Sequence, residues 1–416
     1  LKGQKLMNVL QNILNKMATR KKQYNETNVY DESLKRIEHL FTSFDNIVVN
    51  FSAGKDSTAV LNLALEVALK LNKPLSVNFF DEEVIHPPTI EYAERVRALN
   101  KGVQFNWYCL EFKHRNACSN EEPFWYCWDK SKKDKWVRPL PKNVITKHPK
   151  FKKEMSFQEF STLLPNKSDG STCIMTGVRT QESFRRMKAM SVKKNDNYIA
   201  REGHIAHAHP IYDWSSEDVW LAVVKFGWDY NKTYDVMNKT KMYNKFLQQR
   251  VCPPFGEEPL RGLWLYSECF PDMWHKMLNR VKGVSTAWRY ANSELYGVGK
   301  KVKPEEIESY KKWAEVILES YDQVAVNTVK TNLNTIIRRH FAKTNDEIPD
   351  EANHPLTGTS WAFICKLAIK GDFKGRTGPT LEGNAITEQK KLGIHTFDEA
   401  IIKFGKPEYI NRKFNK

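Results

Sequence analysis

The segment Phe51-Ser52-Ala53-Gly54-Lys55-Asp56-Ser57-Thr58 carries the groups that hold a chain of phosphates. Its small residues let the backbone turn tightly, so that successive N–H groups converge on an anion. A helix beginning near Asp56 adds the positive end of its dipole. Lys55 supplies a point charge, and Ser57 and Thr58 supply hydroxyl donors. A single Gly precedes the Lys and an Asp follows it, so this is not the longer G-x-x-x-x-G-K-[ST] loop. The plainer alternative is an ordinary strand-to-helix turn with an exposed lysine. A second patch is Gly177-Val178-Arg179-Thr180-Gln181-Glu182-Ser183-Phe184-Arg185-Arg186. Arg179 and Arg186 lie seven apart, two turns if the segment is helical, so that both face one anion. Guanidinium forks suit bidentate contacts to phosphate or sulfate. A solvated basic helix end is the alternative there.

The elements around these patches read as strand and helix in alternation. Asn46 to Phe51 is a short β-branched run, Leu75 to Phe80 and Val103 to Leu110 are two more strands, and Ser171 to Thr176 another. Asp56 to Leu71 and Pro87 to Leu99 have the apolar spacing of helices packed on a sheet. The pattern predicts a parallel sheet with crossover helices. Ligands sit at the carboxyl ends of such strands, here at 51, 80 and 176, which brings Phe80 and Asp81 into view. Asp81 opens Asp81-Glu82-Glu83, for which a solvated acidic turn is the bland alternative.

Further elements follow from the same periodicities. Leu6 to Met17 and Leu34 to Phe44 read as N-terminal helices, and residues 111–170 as irregular. Thr180 to Met190 and Ser215 to Phe226 read as helices, the latter started by its serines, with His207 to Tyr212 extended between them. Residues 235–250, 271–282 and 304–340 read as helical, and the basic stretch 341–416 as a small appended unit. The expected organisation is therefore 1–45, then 46–230 with an insertion at 111–170, then 231–340, then 341–416.

Composition sets the outer bounds. Hydrophobic residues make up 41% of 416, enough for large cores and against global disorder. No apolar run approaches a membrane span, and seven scattered cysteines point to a reducing compartment, so a cytoplasmic location is expected. The formal charge of +16 favours polyanionic partners, nucleotides or nucleic acid, and says nothing about fold.

The quoted residues carry a resemblance. Ser52-Ala53-Gly54-Lys55-Asp56-Ser57 resembles the S-G-G-K-D-S PP-loop of the ATP pyrophosphatase superfamily, whose members bind ATP and usually cleave between its α and β phosphates. Ala53 stands where the first Gly is usual, a tolerable methyl if that residue keeps φ negative. The Gly177–Arg186 patch resembles the G-x-R-x-x-E-S-x-x-R segment of phosphoadenosine-phosphosulfate (PAPS) reductases and their relatives. His209-Pro210-Ile211-Tyr212-Asp213-Trp214-Ser215-Ser216-Glu217-Asp218-Val219-Trp220 resembles a further segment of that family, with Trp214, Val219 and Trp220 as core residues. Trp136-Val137-Arg138-Pro139, Arg250 to Glu258 and Gly262 to Leu265 resemble the uncharacterised subgroup that includes immunoglobulin-binding regulator A. The likeness covers most of residues 30–300 and is weak beyond them.

The resemblance implies a PP-loop α/β fold, adenine nucleotide alpha hydrolase-like, with N-terminal helices and a mostly helical C-terminal part. It implies ATP or PAPS as ligand, with Mg²⁺, held by Ser52, Ala53, Gly54, Lys55, Asp56, Ser57, Thr58, Phe80, Asp81, Gly177, Arg179, Ser183 and Arg186. Lys55, Asp56, Arg179 and Arg186 would act at the reacting phosphate, with Asp56 an indirect Mg²⁺ contact. Two functions follow: an enzyme displacing at the α-phosphate, or a nucleotide sensor that docks a protein or nucleic acid without turnover. Sulfonucleotide reduction is disfavoured, because Ser267-Glu268-Cys269-Phe270-Pro271 lacks the Gly and His of the family's E-C-G-x-H motif. Cys365 sits in an apolar helical run, where a thiol is usually core. Cys109, Cys118 and Cys127 with His114 match no common metal spacing, and no C-x-x-C occurs, so no metal centre is expected.

The insertion leaves two readings open. Trp125, Tyr126, Trp128 and Trp136 interleave with Lys130, Lys132, Lys133, Lys135 and Arg138. Rings among cations suit single-stranded or flipped-base nucleic acid; a solvated lid over the nucleotide is the other account.

Overall fold

The computed structural model describes residues 26–119, 121–183, 186–187, 190, 198–239, 250–256, 259–290, 303–319, 323–370, 375 and 377–414. The chain falls into two compact units, one within 1–49, 55–76 and 167–229, the other within 50–54, 77–166 and 230–416.

Among the described residues the first unit is built on four strands. β1 (Asn46–Asn50) and β6 (Thr172–Met175) pair in parallel, as do β6 and β8 (Ile205–Ala208), while β7 (Ile199–Glu202) returns antiparallel on β8. Helix α1 (Val29–Ser43) packs on α2 (Lys55–Leu71), and α2 on α5 (Ser216–Phe226). All four residues of β6 are buried, as expected of a strand in a doubly covered parallel sheet. α5 starts in a capping box, with Ser215 and Asp218 each satisfying the other's backbone, and stops at left-handed Gly227. Trp214 and Val219 are core and Trp220 is half-buried. The Trp214 indole N–H donates to Ser33 Oγ at 2.8 Å, and Arg36 grips Asp213 bidentately, which ties α1 to the segment before α5.

In the second unit β3 (Gln104–Tyr108) lies beside β2 (Ser76–Phe80), with α3 (Pro87–Leu99) between them in sequence. The stretch 111–170 has more order than its sequence suggests. It contains an antiparallel hairpin, β4 (Lys113–Arg115) with β5 (Phe124–Tyr126), and helix α4 (Phe157–Leu163), begun by a Ser156–Glu159 capping box. Phe112, Trp125, Trp128 and Phe160 are buried, so this segment has a core of its own aromatics. Among the described residues the unit continues in helices: α6 (Thr233–Lys239), α7 (Leu263–Cys269), α8 (Pro271–Arg280), α9 (Val284–Tyr290), α10 (Tyr310–Glu319), α11 (Gln323–Phe341), α12 (Trp361–Lys370), α13 (Gly378–Lys391), α14 (Phe397–Phe404) and α15 (Pro407–Phe414).

Several expected elements change on folding. The long helix over 304–340 is two helices, and α10 starts only at Tyr310, where Ser309 and the Asp350 carboxylate cap its first amides. The extended piece at 207–212 begins earlier, as β8, and has a hairpin partner in β7 that the sequence did not announce. Thr180 to Met190 opens as a 3-10 turn, Thr180–Glu182. The helix expected at 6–17 lies outside the described residues, as do 240–249. Among the described residues, no helix is long and apolar enough to cross a membrane.

Candidate functional site

The phosphate loop leaves β1 with a backbone bond from Phe51 N–H to Asn78 O of 2.9 Å. Ala53 then takes φ +57 and is fully buried. The expectation of a negative φ is thereby corrected: Ala53 occupies the left-handed conformation that Gly adopts at no steric cost, at about 1–2 kcal/mol. Its carbonyl is held by Asn231 Nδ2 at 2.9 Å, and the same amide reaches Thr89 Oγ1, itself 2.9 Å from Thr233 Oγ1. Asn231, Thr89 and Thr233 are all buried and carry no motif that could have announced them.

Helix α2 starts at Lys55, so its first-turn amides lie within the loop. Asp56 bridges two cations, taking Lys55 Nζ on Oδ2 at 2.8 Å and Arg179 Nε on Oδ1 at 2.7 Å. Burial lowers the Lys55 pKa, Asp56 opposes that fall, and the nearby Arg179 and Arg186 charges add to it. Three positive groups therefore act on one another at this turn. Ser57 and Thr58 are buried in the first turn of α2, while Ser52 is exposed and its Oγ accepts the Gly54 N–H at 3.4 Å.

Gly177 serves this turn by absence of a side chain. A Cβ there would lie 2.6 Å from the Asp56 carbonyl carbon and 2.7 Å from Ser57 N, which only Gly allows. Arg179 is not on a helix with Arg186, as the two-turn spacing implied; it is extended, at φ −121, ahead of the 3-10 turn. It is also buried, and beyond Asp56 it donates to Trp214 O, Gln181 Oε1 and Ser216 Oγ at 3.2–3.3 Å. Arg186 pairs with Glu182. Ser183, expected at the ligand, accepts the Arg186 N–H at 3.2 Å. Phe184 and Arg185 lie outside the described residues.

At the end of β2 the outcome differs. Phe80 is packed into an aromatic cluster with Tyr108, Phe112 and Phe160. Asp81 is fully buried, pairs with Arg138, and accepts the Trp107 indole N–H at 2.9 Å. Glu83, left-handed at φ +63, is equally buried and takes Arg280 bidentately, both contacts at 2.8 Å. The same carboxylate accepts the Trp128 and Val137 N–H groups. No solvated acidic turn exists here. Glu82 is pushed up to about 8 by burial and by the Asp81 charge. His86 and His114 are pushed down to about 3 and about 4 by burial, and among the described residues the Nε2 of each has no hydrogen-bond partner.

Arg138 is thus a half-buried clamp on Asp81 and the Glu83 carbonyl rather than a free surface cation. Trp125 and Trp128 are likewise core residues, packed against Phe255 and Trp136 respectively, so these rings are withdrawn from any nucleic acid. Lys130, Lys132, Lys133 and Lys135 remain at the surface on a 3-10 segment, Lys130–Lys135, capped by Asp129. Burial pushes the thiols of Cys118, Cys173 and Cys365 up to about 12 and raises Cys109 and Cys127 further, so these five are protonated and poorly nucleophilic at neutral pH.

The phosphoadenosine phosphosulfate reductase domain family matches residues 46–240, and a domain family of unknown function (DUF3440) matches residues 244–366. The uncharacterized protein YbdN of Escherichia coli K12 is 28% identical over 368 residues, covering 83% of this chain and 89% of that protein. Among solved structures, a PAPS reductase from Candida auris in a phosphate complex is 14% identical, covers 52% of this chain and 93% of its own, and has a TM-score of 0.28. An NH₃-dependent NAD synthetase from Campylobacter jejuni is 12% identical, covers 66% of this chain and 97% of its own, and has a TM-score of 0.28.

Proposed function

We propose, from the match of residues 46–240 to the phosphoadenosine phosphosulfate reductase domain family, that the loop at 52–58 binds the phosphates of an adenine nucleotide, ATP or PAPS, and promotes attack of an acceptor such as water on the α-phosphorus, with pyrophosphate leaving when the nucleotide is ATP. The observation that carries this reading is the Lys55–Asp56–Arg179 chain at the start of α2. Lys55, Arg179 and Arg186 set three cations against the carboxylates of Asp56 and Glu182, beside a helix N-terminus. That surplus of positive charge, fixed before ligand arrives, stabilises charge growing on a phosphate under attack and on departing pyrophosphate. Ala53 and Gly177 hold the backbone shape that such an approach needs.

The carboxylates of Asp56 and Asp81 are a poor fit to a protein-held Mg²⁺. Both Asp56 oxygens hold cations, and Asp81 is spent on Arg138 and Trp107, so no step is assigned to the metal. The same occupancy favours a second reading, nucleotide sensing without turnover, because neither aspartate is left as a general base. Sulfonucleotide reduction has no support: the E-C-G-x-H motif is missing, and the Cys269 thiol pKa is raised by burial and by Glu268.

The test is incubation of the protein with α-labelled ATP, with and without Mg²⁺. The first reading expects AMP and pyrophosphate, with the rate falling about 100-fold or more in Lys55→Ala. ATP bound and recovered intact supports the sensor. Neither binding nor turnover, with Lys55→Ala indistinguishable from the parent, overturns both. A thermal-shift panel of ATP, AMP, adenosine phosphosulfate and PAPS then identifies the nucleotide.

A further inference from the structure

The helical region that follows α11 contains a cavity of about 830 Å³, in the size range of small-molecule sites. Its floor is apolar. Leu381 belongs to the cluster of Val329, Leu333 and Ile364, and Leu356 and Ile394 to a second cluster with Ala400 and Ile401. Ala385 and Phe397 extend the same lining.

Charge on the walls is one-sided. Arg339, Lys343, Lys390 and Arg412 line the cavity, against the single carboxylate of Glu382. Among the described residues, none of these four cations is in an ion pair. Lys343 is partly stripped of water, and burial lowers its pKa, with the Arg339 charge adding to that fall and Glu382 opposing it. The buried wall groups His340 and Gln389 are already engaged, His340 with Thr357 and the Asp346 carbonyl, Gln389 with the Pro355 carbonyl.

We propose that this cavity is a binding site for a small organic anion with an apolar body, such as an aromatic sulfonate or a medium-chain aliphatic carboxylate. A bare phosphate would leave the apolar floor uncovered, and a neutral hydrocarbon would leave the half-buried Lys343 ammonium against apolar atoms and make no use of the exposed Arg339, Lys390 and Arg412 at the rim. An anion with an apolar tail satisfies both surfaces at once. The site stands apart from the nucleotide reading, since it uses no residue of the loop.

The probe is 1-anilinonaphthalene-8-sulfonate, followed by fluorescence on the full chain. A saturable signal is expected, displaced by decanoate and not by decyltrimethylammonium. Removing two charges in the double variant Lys343→Gln with Arg412→Gln should weaken binding about tenfold or more. Filling the floor with Ala385→Trp should abolish it. If circular dichroism shows Ala385→Trp to be misfolded, the charge variant alone decides. Unchanged titrations in the charge variant, or equal displacement by the cationic detergent, overturn the proposal.

Discussion

Two regions of this molecule are made from the same parts and end in different states. The loop turn pairs Asp56 with Lys55 and Arg179; the turn after β2 pairs Asp81 with Arg138 and Glu83 with Arg280. The Asp56 side chain keeps 20% of its surface open to solvent, whereas those of Asp81 and Glu83 keep none. In the first case water reaches the carboxylate, so the pair is open to exchange. In the second, the carboxylates also accept indole and backbone N–H groups, and nothing can replace them without leaving donors buried and unsatisfied. A carboxylate paired with a cation is therefore exchangeable in one setting and a fastener in another, and burial is what distinguishes them.

The sharpest way to break that contrast is Arg280→Ala. Leaving Glu83 buried without its guanidinium should lower stability by about 3–5 kcal/mol in denaturant unfolding; a loss below about 1 kcal/mol would place Glu83 among exchangeable pairs. Gly177→Ala comes next. Its Cβ meets main chain rather than a movable side chain, so a destabilisation of about 1–3 kcal/mol is expected. Nucleotide-induced thermal shift should vanish with it, which a purely structural glycine elsewhere would not cause.

Glu82→Gln tests the sealed turn through pH. A carboxyl raised from 4.5 to about 8 contributes stability that is present below pH 4.5 and is lost as pH rises through about 8. The Gln variant should match the parent near pH 5 and exceed it by about 1–2 kcal/mol near pH 8. His86 and His114 act oppositely: their folded pKa values are depressed, so their contribution is present above 6.5 and lost as pH falls toward about 3 for His86 and about 4 for His114. The smallest effect is Ala53→Gly, expected to stabilise by at most about 1 kcal/mol, because relief of the left-handed strain is offset by the added freedom of the unfolded chain. A destabilised Ala53→Gly would mean that the methyl contributes more through packing than its backbone costs.

Much of the architecture was legible. The strand–helix alternation from Asn46 to Tyr108 matches the observed elements to within about two residues, because short β-branched runs and helical apolar periodicity are local signals. Lys55, Asp56 and Arg179 were legible for the same reason, as part of continuous motifs. The spacing argument for Arg179 and Arg186 failed, since Arg179 is extended where a helix was assumed. The aromatic and basic run at 125–138 was ambiguous from sequence because exposure is not a local property: its tryptophans turned inward and its lysines outward.

What the amino-acid order determined alone is the succession of elements from Asn46 to Tyr108, the residue types of the loop and the missing reductase thiol motif, all written in contiguous residues. Tertiary structure decided that Ala53 is left-handed, that Gly177 must lack a side chain, and that Glu83 answers Arg280 from 197 positions away. Those facts depend on which distant segments meet and on how much water they exclude, and a carboxylate or guanidinium takes its role from that environment rather than from its neighbours in the chain.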